Sequence, residues 1–281
     1  MQIGGYKLSS IVAGEFALDG GAMFGVVPKV LWQKKIPADD NNRIPLSLRC
    51  LLIQGEGRNI LVDDGAGDKY NDKLSGIYKI KVGCSLEESL KDKGLEANDI
   101  TDVILTHLHF DHAGGSTKRA GNGGIVPAFP NAKYYLHRGQ LERARNPSER
   151  DDASFFPEDF EPLIKSGQLN VLNGAADIAK GLSVQVTFGH TDSEQHPFLT
   201  DGRETLFYCG DLIPTSAHIG LPWIMAYDLR PLVTLEEKRH LLNKAADGKW
   251  RLFFEHCPFF AVARVKKTEN GFEVYDAKEN I

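Results

Sequence analysis

Between Thr106 and Gly115 the chain reads Thr-His-Leu-His-Phe-Asp-His-Ala-Gly-Gly, which sets three imidazoles and a carboxylate within six residues. That mixture suits zinc, or iron and manganese beside it, far better than calcium, which takes oxygen ligands. The cluster directly follows the apolar run Val103-Ile104-Leu105. A buried strand ending this way delivers His107, His109, Asp111 and His112 to one mouth, where a metal can be held. Three further strand-like runs also end in metal-competent side chains: His190 after residues 182–188, Asp211 after 204–209 and His256 after 250–254. Seven ligands are too many for one tetrahedral zinc. They match two metals that share a bridging carboxylate and a water.

The elements around these residues must bring four strand ends together. Residues 46–54 and 59–63 read as strands joined by Gly55-Glu56-Gly57-Arg58, a hairpin signal. The second ends in Val62-Asp63-Asp64-Gly65, where Asp63 can either accept a proton from a ligand histidine or close a turn. Ser85-Leu86-Glu87-Glu88 and Thr234-Leu235-Glu236-Glu237 are capping boxes, opening helices that stop at Gly94 and near Gly248. Further strands are expected at 1–15 (an edge strand), 99–106, 132–136, 168–172 and 271–275, with a loop at 116–130. Residues 138–167 are polar, with helical stretches 139–145 and 158–166, and form an insertion that could roof the site. Residues 18–32 are glycine-rich and apolar without periodicity. They read either as a packed loop or as a lip that supplies Met23, Phe24 and Trp32 as pocket wall or homodimer contact. With Phe110, Trp223 and Met225 these are candidates for an apolar pocket.

Strands and helices interleave along all 281 residues, so an α/β fold in one domain, 1–281, is expected. That length buries a core without disulfides. The four cysteines show no Cys-x-x-Cys spacing, and Cys209 and Cys257 lie in apolar runs, as reduced thiols of a cytoplasmic protein do. A net charge of −5 without blocks of like charge argues against a nucleic-acid surface. No signal peptide and no apolar run of membrane-spanning length is visible, so a soluble cytoplasmic protein without nucleic-acid or membrane partners is expected.

On Val62-Asp63-Asp64-Gly65, Thr106 to Gly115, Gly189-His190-Thr191, Gly210-Asp211 and Glu255-His256, the sequence resembles the metallo-β-lactamase superfamily of dinuclear hydrolases over nearly its whole length. The resemblance implies a four-layer αβ/βα sandwich, the metallo-β-lactamase fold, with metals at the sheet edges. It implies that His107, His109 and His190 hold one metal and Asp111, His112 and His256 the other, with Asp211 bridging. The two divalent ions would be zinc, with iron, manganese or cobalt as alternatives. Residues 19–29, 211–218 and Ala226-Tyr227-Asp228 look like the quorum-quenching N-acyl homoserine lactonases of the YtnP type, a branch close to methyl-parathion-hydrolase-like phosphotriesterases. The implied activity is metal-dependent opening of the lactone ring of N-acyl homoserine lactones, or a similar small ester, by a hydroxide shared between the metals. Hydrolysis of phosphotriesters or aryl esters is the alternative on the same site. A histidine at 109, rather than glutamate, argues against the di-iron flavoprotein pattern.

Two positions depart from the family. After the metal histidine the chain reads His190-Thr191-Asp192-Ser193-Glu194 instead of His-Thr-Pro-Gly-His, and Pro214 stands where lactonases of a neighbouring branch carry a tyrosine. His218 or Tyr227 could take that tyrosine's place near the scissile ester. With Asp111 and Asp211 they complete the catalytic candidates.

Overall fold

The computed structural model of this protein describes residues 1–80 and 86–281. The first part of the chain gives β1 (Gln2–Ile3), β2 (Tyr6–Asp19), β3 (Arg43–Gly55), β4 (Arg58–Val62), β5 (Asp102–Ile104), β6 (Thr117–Arg119), β7 (Ile125–Pro127), β8 (Lys133–His137) and β9 (Leu169–Leu172). All but β6 and β7, which pair as a separate ribbon, form one sheet in the order β1-β2-β3-β4-β5-β8-β9. The rest gives β10 (Ala176–Ala179), β11 (Leu182–Thr187), β12 (Glu194–Thr200), β13 (Thr205–Tyr208), β14 (Arg251–Phe253), β15 (Val262–Thr268) and β16 (Gly271–Lys278), a second sheet in sequence order. Among the described residues eight α-helices decorate them: α1 (Gly20–Phe24), α2 (Lys29–Trp32), α3 (Asp72–Tyr78), α4 (Leu86–Lys91), α5 (Phe110–Ala113), α6 (Arg138–Arg145), α7 (Pro157–Lys165) and α8 (Pro231–Gly248).

Period-two alternation decides the layering. On β3, Leu51 and Ile53 turn toward the second sheet and pack with Val184, Leu206, Tyr208 and Phe253. Their neighbours Cys50 and Leu52 turn outward, into a core closed by Leu90 of α4, Ala144 of α6, and Phe160 and Leu163 of α7. The second sheet divides in the same way. Phe207, Leu252, Ala263 and Val265 face outward onto Leu241, Leu242 and Ala245 of α8. The result is helices, sheet, sheet, helix: the αβ/βα sandwich. Gln195 ties the sheets together by donating from Nε2 to the carbonyls of Leu105 (2.7 Å) and Tyr135 (2.9 Å).

Several elements differ from expectation. Strand β12 does not read as a strand because its buried Glu194, Gln195 and His196 are satisfied by hydrogen bonds that no pattern reveals, those of Gln195 to the facing sheet and those of Glu194 and His196 within their own half. Strands β10 and β15 were likewise not expected. The second helix starts at Pro231 rather than at the Thr234 box, since proline is preset for a first helical turn. Residues 116–130 include a short ribbon instead of a plain loop. Residues 18–32 hold α1 and α2, with Asp19 accepting from Ala22 N as the cap of the first. Ser85, the expected cap of α4, and Cys84 lie outside the described residues. Cys50, Cys209 and Cys257 are free, buried thiols. Among the described residues no helix is long and apolar enough to cross a membrane.

Candidate metal centre

Both sheets end at one rim. Strand β5 leads into His107 and His109 and then into α5 with Asp111 and His112; β11 leads to His190, β13 to Asp211 and β14 to His256. Close backbone packing shapes the first of these loops. A Cβ on Gly115 would lie 2.2 Å from the Asp64 carbonyl, so only glycine lets the loop after α5 pack against the segment after β4. At the first departure from the family pattern, Ser193 takes the left-handed conformation (φ 61°), so the turn after His190 forms without the family's glycine. That turn sends Glu194 under Asp211, whose backbone N donates to Glu194 Oε1 at 2.7 Å.

The seven expected residues converge in two groups. His107, His109, His190 and Asp211 present ligand atoms that all lie within 4.8 Å of one another, and so do Asp111, His112 and His256. Asp211 spans the groups with one oxygen each: Oδ2 is 3.2 Å from His190 Nε2, and Oδ1 is 3.2 Å from His256 Nε2 and 3.6 Å from His112 Nε2. Ring nitrogens face one another at 3.0 Å (His107 Nε2 to His109 Nδ1), 3.2 Å (His190 Nε2 to His109 Nδ1) and 3.1 Å (His256 Nε2 to His112 Nε2). Once deprotonated, imidazoles converging in this way direct lone pairs into a common space.

The outward nitrogens explain why the inner ones point in. His190 Nδ1 meets Asp228 Oδ1 at 2.9 Å, and His256 Nδ1 meets the Ser47 carbonyl at 2.8 Å. His112 Nδ1 lies 3.1 Å from Asp63 Oδ2 and 3.0 Å from Glu255 Oε2, while His107 Nδ1 meets Thr106 Oγ1 at 3.0 Å. An acceptor behind each of these four rings fixes its tautomer and leaves Nε2 free for a metal, whereas His109 turns Nδ1 inward and has no acceptor behind it among the described residues. Asp63 also accepts from Thr106 N at 2.7 Å, a contact between segments 43 residues apart, so of its two expected roles the contacts support that of partner of a histidine. Although Asp63, His112 and Glu255 also come close enough to hold an ion, His112 turns its Nδ1 to those carboxylates and its Nε2 to the other group. We read that trio as a support for the ring.

Electrostatics test whether cations fit. Burial and the neighbouring imidazoles push His107 and His109 well below their ordinary pKa, so both are neutral. Burial alone would also depress His190 and His256, but Asp211 outweighs it and raises each to about 9. Those same histidines and His112 hold the Asp211 carboxyl well below its usual range despite its burial. Asp211 Oδ1 and His109 Nε2 are buried without a hydrogen-bond partner among the described residues. Nitrogen and carboxylate donors, an orphaned buried oxygen and converging ring nitrogens together fit a pair of divalent transition-metal cations.

Beside the groups lies a cavity of about 330 Å³, which His109, Asp111, His190, Asp211 and His256 line from below. Its upper walls come from Met23, Phe110 and Met225, from the insertion (Arg150, Asp151, Ser154) and from Tyr227. The insertion therefore does roof the site. Not every expected wall residue reaches it. Phe24 and Trp32 stack on each other (5.3 Å between rings) and lie fully buried behind Met23, while Trp223 packs edge-on against Phe24. His218 is also placed behind the wall: Nε2 meets the Met23 carbonyl and Nδ1 meets Thr215 Oγ1, both at 2.8 Å, and its ring stacks on Phe24. With both nitrogens engaged and no surface on the cavity, His218 has no reacting group to touch, which corrects its candidacy. Of the two replacements for the missing tyrosine, Tyr227 alone lines the cavity. Asp228, Glu255, Glu194 and Arg150 were not singled out from the sequence. Asp228, Glu255 and Glu194 fall within the quoted motifs, but their partners are set by the fold.

Comparison with known proteins agrees with this geometry. The family described as the metallo-beta-lactamase superfamily matches residues 44–256. An N-acyl homoserine lactonase of Bacillus cereus is 26% identical over 166 residues, which is 55% of this chain and 58% of the relative. The N-acyl homoserine lactonase AiiB of Agrobacterium fabrum is 30% identical over 119 residues, 39% of this chain and 42% of the relative. The match thus spans less than two thirds of these curated relatives. Among solved structures, a "probable metal-dependent hydrolase" from Staphylococcus aureus superposes with a TM-score of 0.91 at 27% identity, over 99% of this chain and 98% of that one. AidC, a dizinc quorum-quenching lactonase in complex with a product N-hexanoyl-L-homoserine, superposes with a TM-score of 0.80 at 24% identity, over 98% and 95% of the two chains, and shares the fold.

Proposed function

The chain belongs to the metallo-β-lactamase superfamily, and from that premise we propose that it is a dinuclear metal-dependent hydrolase opening the lactone ring of N-acyl homoserine lactones or similar small lactones. The observation that carries this is Asp211, whose two oxygens reach separate ligand groups on the floor of a partly apolar cavity. The lactonase relatives and the product-bound lactonase neighbour support the substrate class. We take residues 1–281 as one working domain, because both sheets contribute ligands.

His107, His109 and His190 would hold one cation, Asp111, His112 and His256 the other, and Asp211 would join them. When bound, such a pair supplies Lewis acidity, polarising a carbonyl and lowering the pKa of water from about 15.7 toward about 7. The protein's part is placement and proton handling. Asp111 lines the cavity beside the ligand rings, where its carboxylate orients the attacking water, takes its proton and returns it to the ring oxygen as the C–O bond breaks. Tyr227, on the cavity wall, donates its phenolic hydrogen to the substrate near the scissile ester, since a phenol with an ordinary pKa of about 10 is protonated at neutral pH. Met23, Phe110, Met225 and Leu229 cover the acyl arm and exclude water.

The ligand groups alone would serve a phosphotriester equally well, so the test is comparative. On one metal-loaded preparation with a chelated control, kcat/KM is measured for short- and long-chain N-acyl homoserine lactones and for an aryl phosphotriester. A chelator-sensitive lactonase rate well above the phosphotriesterase rate is expected. The reverse order refutes the lactonase reading and moves the protein to phosphotriesters.

A further inference from the structure

We propose that Arg150 is a substrate-binding residue that sets specificity, its guanidinium donating to the carbonyl of the amide arm of an acyl lactone; the proposal deepens the lactonase reading and rests on it. Arg150 lies between α6 and α7 in the roof, and it is the one lysine or arginine among the described lining residues of the cavity. Its Nη2 donates to the Ala226 carbonyl, so the side chain leans from the roof to the loop that carries Tyr227.

What distinguishes Arg150 is that its neighbours are already engaged. Arg143 grips Asp151 with Nε and Nη2 (2.8 and 2.7 Å), Arg145 holds Glu161 (2.8 and 3.0 Å), and Arg230 holds Asp192 (2.6 Å). Asp151, the carboxylate next in sequence and also on the cavity wall, is thereby taken by Arg143. Among the described residues Arg150 itself makes no salt bridge. A guanidinium offers five N–H donors in a planar fork, and the structure accounts for one of them. The remaining wall beyond the ligand groups is largely apolar, so an acceptor on the substrate's arm finds its cationic donor at Arg150. An acyl amide carries such a carbonyl a few bonds from the lactone ring. A simple alkyl lactone does not.

The test compares wild type, Arg150→Met and Arg150→Lys, each metal-loaded and checked for an unchanged melting temperature. Substrates are N-hexanoyl homoserine lactone and an alkyl lactone of matched chain length without the amide. Arg150→Met is expected to lose about tenfold or more in kcat/KM on the amide substrate, mainly through KM, the worth of a charged hydrogen bond. Arg150→Lys should recover part of that loss, and the alkyl lactone should change less than about twofold. Equal losses on both lactones would reduce Arg150 to a strut between loops and overturn the proposal, as would no loss on either. A wild type inactive on both lactones would refute the lactonase reading itself, and the amide assignment with it.

Discussion

Replacing Asp228 by asparagine removes one charge from behind one ligand and leaves its shape. Asp228 Oδ1 lies 2.9 Å from His190 Nδ1, and both side chains are buried. A hydrogen bond to a charged acceptor contributes about 1.5–3 kcal/mol and a neutral one about 0.5–1.5, so asparagine should forfeit about 1–1.5 kcal/mol. That corresponds to about a tenfold weaker hold on the metal, at the low end of the 10- to 100-fold range typical for partners behind ligating histidines. The loss should be local. His190 belongs with His107 and His109, whereas in the other group His112 relies on Asp63 and Glu255 and His256 on the Ser47 carbonyl. Competition with a chromophoric chelator at neutral pH, read as metal released per protein, should show one of two ions leaving about tenfold more easily and the other unchanged. Equal weakening of both ions, or of neither, would refute the assignment of Asp228 to a single ligand group.

Asp211→Ala should abolish metal-dependent turnover and lower the bound metal below two per chain by elemental analysis; full activity would rule out a bridging role. Met23→Ala should raise KM for long acyl chains more than for short ones, since Met23 faces the cavity; Phe24→Ala should instead lower stability by about 3–5 kcal/mol in urea unfolding, since Phe24 is core. Asp102 supplies a pH test away from the metals. Burial would raise its pKa, but the Arg58 guanidinium (Nε at 2.8 Å) together with Thr101 and Tyr135 outweighs that and holds the carboxyl below its ordinary value of 3.8. A depressed carboxyl stabilises the fold above the unfolded value and loses that contribution as pH falls through the folded one. Asp102→Asn should therefore cost about 1–3 kcal/mol at pH 7, and the gap to wild type should close below about pH 3.8. A gap of equal size at both pH values would show that the charge is not what matters.

The proposed ligands are legible in the sequence because they close apolar runs, and the end of a buried strand is where a polar side chain can emerge at a rim. What orients them was not legible. The acceptor behind His256 is the backbone carbonyl of Ser47 in the facing sheet, and the one behind His190 is Asp228, in the loop before α8. Neither pairing follows from spacing, since the first depends on how two sheets stack and the second on the path of a loop. Strand β12 escaped for the same reason: Gln195 inside it looks exposed in sequence but is buried against carbonyls of the facing sheet. His218 and Tyr227 looked equivalent as replacements for the missing tyrosine, and only packing distinguishes them. Phe24 stacks on one. The cavity receives the other.

Titrating metal-free protein with zinc, while following bound metal and lactone opening together, tests the central claim most directly. A dinuclear centre joined by Asp211 predicts two equivalents bound per chain, with lactonase activity appearing only as the second is taken up. Saturation of activity at one equivalent, or ring opening that persists without metal, would contradict it.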